Sequence, residues 1–117
     1  IGGNIPQNTK RLLIKTNNGY WWKQKSFNQS YVGLSADGAQ WLVDNGIKLI
    51  GIDYLSVASF DEVQIVHEIL LKKDIIIVEG LDLTEPNQGN YEFSCLPLKM
   101  VKADGAPARA TLRVINK

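Results

Sequence analysis

Two short apolar runs, separated by a segment with helical periodicity, constrain the fold of this chain more than any other feature. The runs are Ile47–Asp53 (IKLIGID) and Ile75–Glu79 (IIIVE), and the second is expected to continue to Leu83. Strands of this composition are typically buried on both faces, as in parallel sheets whose strands are joined by helices. The pattern therefore predicts a parallel portion of sheet with a helix crossing between the two strands.

Two segments have the apolar spacing of amphipathic helices. The first follows Ser35, a suitable N-cap, and is expected to run to about Asn45 and to stop at Gly46. The second is expected over 61–73, because acidic residues lie at its start and lysines at its end, as the helix dipole favours. Its predicted apolar face consists of Val63, Val66, Ile69 and Leu70.

Further strands are predicted near both ends of the chain. Arg11–Thr16 is a short leucine-rich strand, and the polar, aromatic segment 20–31 that follows it is expected to be irregular. Tyr91–Val101 and Ala108–Ile115 are joined through an Asp-Gly pair at 104–105, which favours a hairpin. The predicted fold class is α/β, a mixed sheet with flanking helices.

Length and composition predict one domain. At 117 residues and 44% hydrophobic content, the chain is long enough to bury one core and too short to suggest two. We expect a single domain over 1–117, in which 1–10 form a linker or loop. The first residue is Ile1 and not Met, which suggests a piece cut from a longer protein.

The charge balance argues against several classes of partner. The 13 basic and 12 acidic residues are scattered, whereas proteins that bind nucleic acid show a basic excess on one face. No apolar stretch approaches the roughly 20 residues of a membrane span. The single cysteine, Cys95, cannot form an internal disulfide, and its apolar surroundings favour a small buried residue over a nucleophile. We expect a soluble cytoplasmic protein with no nucleic-acid or membrane partner.

One histidine and one carboxylate are candidate metal ligands. His67 borders the apolar face of the second helix, where it either donates to a backbone carbonyl or faces an ion. Glu79 ends an apolar strand, where a carboxylate is costly to bury unless it is paired or metal-bound. It alternatively emerges into solvent or pairs with a lysine. A helix folded over the strand would join imidazole and carboxylate, a donor set that suits Zn or Mn.

Other side chains have two interpretations each. Asp53 lies at the end of an apolar strand, where α/β sheets border ligand crevices, but a turn-forming aspartate bonded to the following loop is favoured there. Asp82 is a turn or pairing residue. The aromatic residues of segment 20–31 line an apolar pocket or subunit contact, or form a local satellite core. These residues are Trp21, Trp22, Phe27 and Tyr31.

Five segments together resemble the cyclase family of metal-dependent hydrolases, to which bacterial kynurenine formamidase belongs. They occur in order and with fitting spacing between Arg11 and Arg113. The segments are Gly33–Leu42 (GLSADGAQWL), Gly51–Ser56 (GIDYLS), His67–Leu71 (HEILL), Ile77–Leu83 (IVEGLDL) and Leu96–Leu98 (LPL).

The resemblance implies hydrolysis of an amide or related C–N bond in a small-molecule substrate. In family members, a histidine and a glutamate twelve residues later bind the metal, so His67 and Glu79 are the implied ligands of a divalent ion, Zn or Mn. Asp53 and Ser56 match the family's Gly-Ile-Asp-x-x-Ser stretch and are implied to shape the wall of the site. The implied fold is part of the swivelling β/β/α fold.

The chain departs from the family at its most distinctive motif. The signature His-x-Gly-Thr-His-x-Asp-x-Pro-x-His supplies most ligands and the catalytic histidine, and a chain with one histidine cannot contain it. No catalytic residue is therefore expected in this chain, which looks like about the C-terminal half of a family member. Missing strands would leave edges that promote association. Pairing with an N-terminal fragment or homo-oligomerisation would cover them.

Two functional hypotheses from different classes follow. In the first, the chain is a fragment or natural half of a cyclase-family amidohydrolase and is active only with its missing portion. In the second, it is a catalytically silent binding or assembly domain that retains the scaffold.

Overall fold

A computed structural model describes residues 4–115 of the chain. These residues form two compact units, of which the first ends at Glu85 and the second begins at Pro86, and each is described by itself. Residues 4–10 lie in neither an α-helix nor a strand. Residues 1–3 of the predicted linker lie outside the described range, and the single domain stays a prediction.

The first unit contains a parallel sheet of three strands. They are β1 (Arg11–Ile14), β2 (Leu49–Ile52) and β3 (Ile76–Val78), in the order β1-β2-β3. Gly51 of β2 is the register partner of Leu13 on one side and of Val78 on the other. All four residues of β2 are buried because a neighbouring strand pairs with each of its edges. The predicted parallel portion is confirmed.

A helix connects β1 to β2, as the periodicity predicts. Helix α1 spans Ala36–Asp44, and the side chain of Ser35 accepts a hydrogen bond from the amide of Gly38, which satisfies one of the free donors at the helix start. Gly46 ends the helix with a φ of 69°, a conformation that glycine adopts without strain. The expected irregular segment differs in part, because Asn17–Lys23 form a 3-10 helix.

A second helix connects β2 to β3 and packs against α1. Helix α2 spans Val63–Leu71 and is preceded by a 3-10 turn at Phe60–Glu62, so the regular helix begins two residues later than predicted. Val66 and Leu70 are fully buried, as expected of the apolar face. Val63, the first residue of the helix, is 38% exposed and thus less buried than the rest of that face.

The third strand is shorter and less buried than its composition predicts. It ends at Val78 and does not continue to Leu83, because Gly80 has a φ of 74° and turns the chain. Ile76 is 60% exposed although its neighbour Ile75 is buried. Strand β3 lies at the edge of the sheet, and successive strand residues point to opposite faces, so an apolar run there is not buried throughout.

The core of the first unit joins the strands to both helices and to the segment after β2. Because that segment contributes to the core, its backbone is held in place by burial as well as by hydrogen bonds. The core residues are Leu34, Ala39, Leu42, Ile47, Ile50, Ile52, Val57, Ala58, Val66, Leu70 and Ile75.

The second unit is an antiparallel hairpin, as predicted. Strand β4 spans Tyr91–Pro97 and pairs with β5, Ala108–Val114. The connection is long, at residues 98–107, because neither residue of the Asp-Gly pair has the positive φ that a tight two-residue turn requires. Cys95 is half-buried opposite Ala110, which corrects the expectation of a buried cysteine.

The predicted mixed α/β class is confirmed, and the parallel and antiparallel strands occupy separate sheets. Within residues 4–115, no helix is both long and apolar enough to cross a membrane.

The close approach of two loops at Gly33 gives a test of the fold. A Cβ atom at position 33 would lie 2.3 Å from the carbonyl carbon of Ala58, beside the bridge that pairs Leu34 with Ala58. We expect Gly33→Ala to lower the free energy of unfolding by about 2–3 kcal/mol, as overpacking against backbone does. Urea unfolding followed by tryptophan fluorescence measures it, since all three tryptophans lie in the first unit.

The matched control for that substitution is Gly105→Ala. A Cβ at position 105 would meet no atom within 4 Å. The control should unfold at the urea concentration of the wild type. Equal midpoints for the wild type and Gly33→Ala would contradict the packing described at Gly33.

Candidate metal centre

The structure brings His67 and Glu79 into contact. His67 lies on α2 and Glu79 directly follows β3, and Nε2 of the imidazole is 3.1 Å from Oε1 of the carboxylate. Their side chains are 28% and 32% exposed, so the pair lies at a solvent-accessible edge of the first unit. The helix thus folds over the strand as the sequence suggests, whereas the role of the pair as metal ligands stays a prediction.

The second ring nitrogen of His67 determines where its proton lies. Nδ1 is 2.7 Å from the carbonyl oxygen of Val63, and a carbonyl can only accept, so Nδ1 carries a proton and donates. In the neutral ring, Nε2 then presents a lone pair to Oε1 of Glu79, which is also an acceptor. Two acceptors at 3.1 Å repel unless positive charge lies between them. A second ring proton or a bound cation supplies that charge.

The segment after β2 positions Glu79 through two hydrogen bonds. The amide of Val57 donates to Oε1 of Glu79 at 2.8 Å, and the amide of Gly80 donates to the carbonyl of Tyr54 at 2.7 Å. One bond holds the carboxylate and the other holds the backbone beside it. The orientation of the carboxylate is therefore set by a buried backbone segment and not by the rotamer of Glu79 alone.

Ser56 shapes this segment. Its hydroxyl oxygen accepts a hydrogen bond from the amide of Ala58 at 3.2 Å, which closes a turn around Val57. Ser56 is thus adjacent to the residue that binds Glu79. Its predicted place in the wall of the site stays a prediction.

Asp53 has a partner that the sequence did not indicate, and its predicted place in the wall of the site stays a prediction. It is 2% exposed, and its two carboxylate oxygens accept from the amide and the hydroxyl of Thr16 at 2.7 and 2.8 Å. The favoured interpretation placed that partner in the following loop, and this is wrong. Thr16 follows β1, and the carboxyl ends of parallel strands meet at one edge of a sheet.

Asp82 forms a turn. Its Oδ1 accepts from the hydroxyl of Thr84 at 2.6 Å and from the amide of the same residue at 3.0 Å. These two bonds, the side-chain bond first, hold the pKa of Asp82 below its usual value. Of the two interpretations of Asp82, the structure shows the turn.

Three of the four residues of the predicted aromatic cluster belong to one group of rings, and Trp21 does not. Trp21 packs edge-to-face on Tyr20, with ring centroids 5.1 Å apart. The other three aromatic residues form a separate group, which also includes two rings from outside segment 20–31, those of Tyr54 and Phe60. Tyr54 follows β2 and is almost fully buried, while Phe60 begins the 3-10 turn before α2. The connected rings are those of Trp22, Phe27, Tyr31, Tyr54 and Phe60.

The site offers two donors that suit a divalent cation. Imidazole and carboxylate form a donor set typical of Zn or Mn, and a histidine whose other nitrogen donates to a carbonyl is the usual arrangement at metal sites. Among residues 4–115, no group of three or more His, Cys, Asp or Glu side chains lies close enough together to hold an ion. The described residues therefore fit one side of a metal site.

Known proteins resemble this chain in sequence and in fold. A family model described as "Putative cyclase" matches residues 2–59. Cyclase-like protein 3 of Oryza sativa subsp. japonica is 52% identical over 113 residues, which are 92% of this chain and 42% of that protein. The chain is thus similar to members of the cyclase family over most of its length.

Other cyclase relatives extend the comparison to a named enzyme and to a solved structure. The kynurenine formamidase of Bacillus cereus is 37% identical over 93% of this chain and 52% of its own length. A structure described as that of a predicted metal-dependent hydrolase from Bacillus stearothermophilus has a TM-score of 0.84 and 33% identity, over 96% of this chain and 53% of that one. The chain thus spans about half, or less, of these relatives.

The hydrogen bond to Val63 predicts the tautomer of His67. In the neutral imidazole we expect the proton on Nδ1, because Nδ1 is the nitrogen that faces a carbonyl. Long-range ¹H–¹⁵N correlation spectra measure the tautomer directly, and the chain has one histidine, so a single set of signals needs no assignment. A dominant Nε2–H form would contradict the geometry described.

The burial of Asp53 predicts a large loss of stability when its carboxylate is removed. Asp53→Ala leaves the part-buried amide of Thr16 without its acceptor, which should lower the free energy of unfolding by about 2–3 kcal/mol. Equilibrium urea unfolding measures the loss. The matched control is Asp44→Ala at an exposed position on α1, which should leave the midpoint nearly unchanged. Equal midpoints for all three proteins would show that Asp53 does not hold the strand ends together.

Proposed function

We propose that this chain supplies His67 and Glu79 to one side of a divalent metal site, Zn or Mn, in a hydrolase of amide or related C–N bonds. The observation that carries the proposal is the 3.1 Å contact between Nε2 and Oε1, with Nδ1 already engaged by the carbonyl of Val63. That arrangement leaves Nε2 as a free lone pair directed at an anion. Relatives named kynurenine formamidase and metal-dependent hydrolase support the reaction class.

The contributions of the two residues follow from their contacts. The carbonyl of Val63 fixes the ring orientation of His67, and the amide of Val57 fixes one oxygen of Glu79. The carboxylate reduces the net charge of the ion, and the imidazole adds a neutral donor. A Zn or Mn ion held by these residues would supply Lewis acidity toward water and toward the carbonyl group of a substrate. The substrate is a small molecule with a hydrolysable C–N bond.

Activity requires more of the protein than this chain provides. Two donors do not complete a catalytic site, which usually has three protein ligands and an open position. We propose that an N-terminal portion, or another subunit of a homo-oligomer, contributes the remaining ligands and the catalytic base. No residue of this chain is assigned a catalytic role. The half-length coverage of the relatives and the single cysteine support a partial, cytoplasmic enzyme.

A second candidate function is a catalytically silent binding or assembly domain that keeps the cyclase scaffold. The lack of a third clustered donor among residues 4–115 favours it. In that case the imidazole carries a second proton and donates to Glu79 as an ion pair, with no need for a metal. The two candidates therefore differ in what lies at Nε2 of His67.

Metal titration separates the two candidates. We expect the chain to bind one Zn²⁺ or Mn²⁺ weakly, with His67→Ala and Glu79→Gln each raising the dissociation constant at least tenfold, since each removes one of two protein donors. Isothermal titration calorimetry measures this. The matched control is Glu68→Gln, because Glu68 lies next to His67 on α2 but bonds to Gln64 and Lys72 instead.

A complementation assay then tests the reaction. The chain is mixed with a separately produced N-terminal portion of the Oryza cyclase-like protein, and hydrolysis of N-formylkynurenine is followed with and without added metal. Hydrolysis that disappears with His67→Ala supports the enzyme. A chain that binds no metal, and whose His67→Ala variant is indistinguishable from the wild type, would establish the silent domain instead.

A further inference from the structure

Trp22 lies against the segment that positions Glu79. Its indole Nε1 donates to the carbonyl of Asp53 at 3.0 Å, and its ring packs on that of Tyr54 with centroids 5.6 Å apart. The far edge of the same indole, Cη2, is 4.0 Å from the place that a Cβ of Gly80 would occupy. One side chain thus bonds to the segment after β2 and reaches the space beside the residue that follows Glu79.

Those contacts lie beside the two hydrogen bonds that set the carboxylate. Tyr54, against which the indole packs, offers the carbonyl that accepts from Gly80. Three residues later, Val57 donates to Oε1 of Glu79. The peptide that accepts from the indole is therefore in the same segment as the carbonyl that bonds to Gly80 and the amide that bonds to Glu79.

We propose that Trp22 is a positioning residue for Glu79. Its indole N–H fixes the peptide after β2, and its ring covers the turn at Gly80, so that Oε1 stays directed at Nε2 of His67. The ligand role of Glu79 rests on the proposed function, but the positioning does not depend on metal. Trp22 is not a catalytic residue, because it acts only through backbone that it contacts.

Burial alone does not explain a tryptophan at this position. The residue is 41% exposed, so a large part of its apolar surface gains nothing from burial. What distinguishes it is the N–H donor, which a phenylalanine lacks. At Gly80 the φ of 74° disfavours a side chain, and the indole lies at van der Waals distance from the space that a Cβ would occupy.

The test compares Trp22→Phe with Trp21→Phe in the full chain. Trp21 is the matched control, since it is adjacent in sequence and packs on Tyr20. Amide hydrogen exchange of Val57 and Gly80 is measured by NMR without metal, with the amide of Ile47 as a distant reference that bonds to the end of α1. Trp22→Phe should speed exchange at Val57 and Gly80 roughly tenfold and leave Ile47 unchanged, as local opening does.

Calorimetric titration with ZnCl₂ is the second readout. We expect Trp22→Phe to weaken Zn²⁺ binding by roughly tenfold, the lower end of the range for residues that support metal ligands, and Trp21→Phe to leave it within about twofold. Equal acceleration of all three amides would indicate general destabilisation and overturn the inference. Unchanged exchange would also overturn it, as would faster exchange with unchanged Zn²⁺ affinity when the wild type binds Zn²⁺.

Two further results bear on the inference. The first needs no variant, and the second separates the inference from the proposed function. If the indole N–H of Trp22 exchanges as fast as that of Trp21 in the wild type, its hydrogen bond is absent and the inference fails. If the wild type binds no Zn²⁺ but Trp22→Phe still speeds exchange at Val57 and Gly80, positioning stands and the metal site fails.

Discussion

Two hydrogen bonds between the segment after β2 and the residues after β3 hold the candidate site together. The carbonyl of Tyr54 accepts from Gly80, and the amide of Val57 donates to Glu79. Because Val57 is fully buried in the core, the donor that aims the carboxylate cannot move without disturbing the packing of the first unit. Correct pairing of β2 and β3 is thus a condition for the site, and the edge strand, although short, is the element that brings Glu79 to His67.

The protonation of His67 connects this geometry to function. With Nδ1 committed to Val63, the ring can present to Glu79 only a second proton or a lone pair that faces a cation. The first state is an ion pair that stabilises the scaffold, and the second is half of a metal site. The same geometry therefore fits both functional candidates. They differ in whether a proton or a metal ion supplies the positive charge between Nε2 of His67 and Oε1 of Glu79.

The sequence predicts those parts of the fold that depend on local pattern. Helix α1 follows its cap at Ser35, and β2 follows an apolar run, because neighbouring residues alone determine both. The contact between His67 and Glu79 was also expected, since helix-then-strand order brings them together. Features that depend on distant residues could not be predicted. The partner of Asp53 lies thirty-seven residues earlier in the chain, and Tyr54 joins the aromatic cluster only through the topology of the sheet.

Both His67 and Glu79 are anchored to main chain, which limits how the distance between their side chains can change. Nε2 of His67 moves with α2, because Nδ1 is tied to a carbonyl of the same helix, and Oε1 moves with the loop that contains Val57. The distance between Nε2 of His67 and Oε1 of Glu79 therefore depends on how α2 packs on the core and not on side-chain torsions. Moving α2 away from Glu79 would require Val66 and Leu70 to leave close packing. A substitution in the core beneath α2 would therefore change the distance between imidazole and carboxylate without touching either residue.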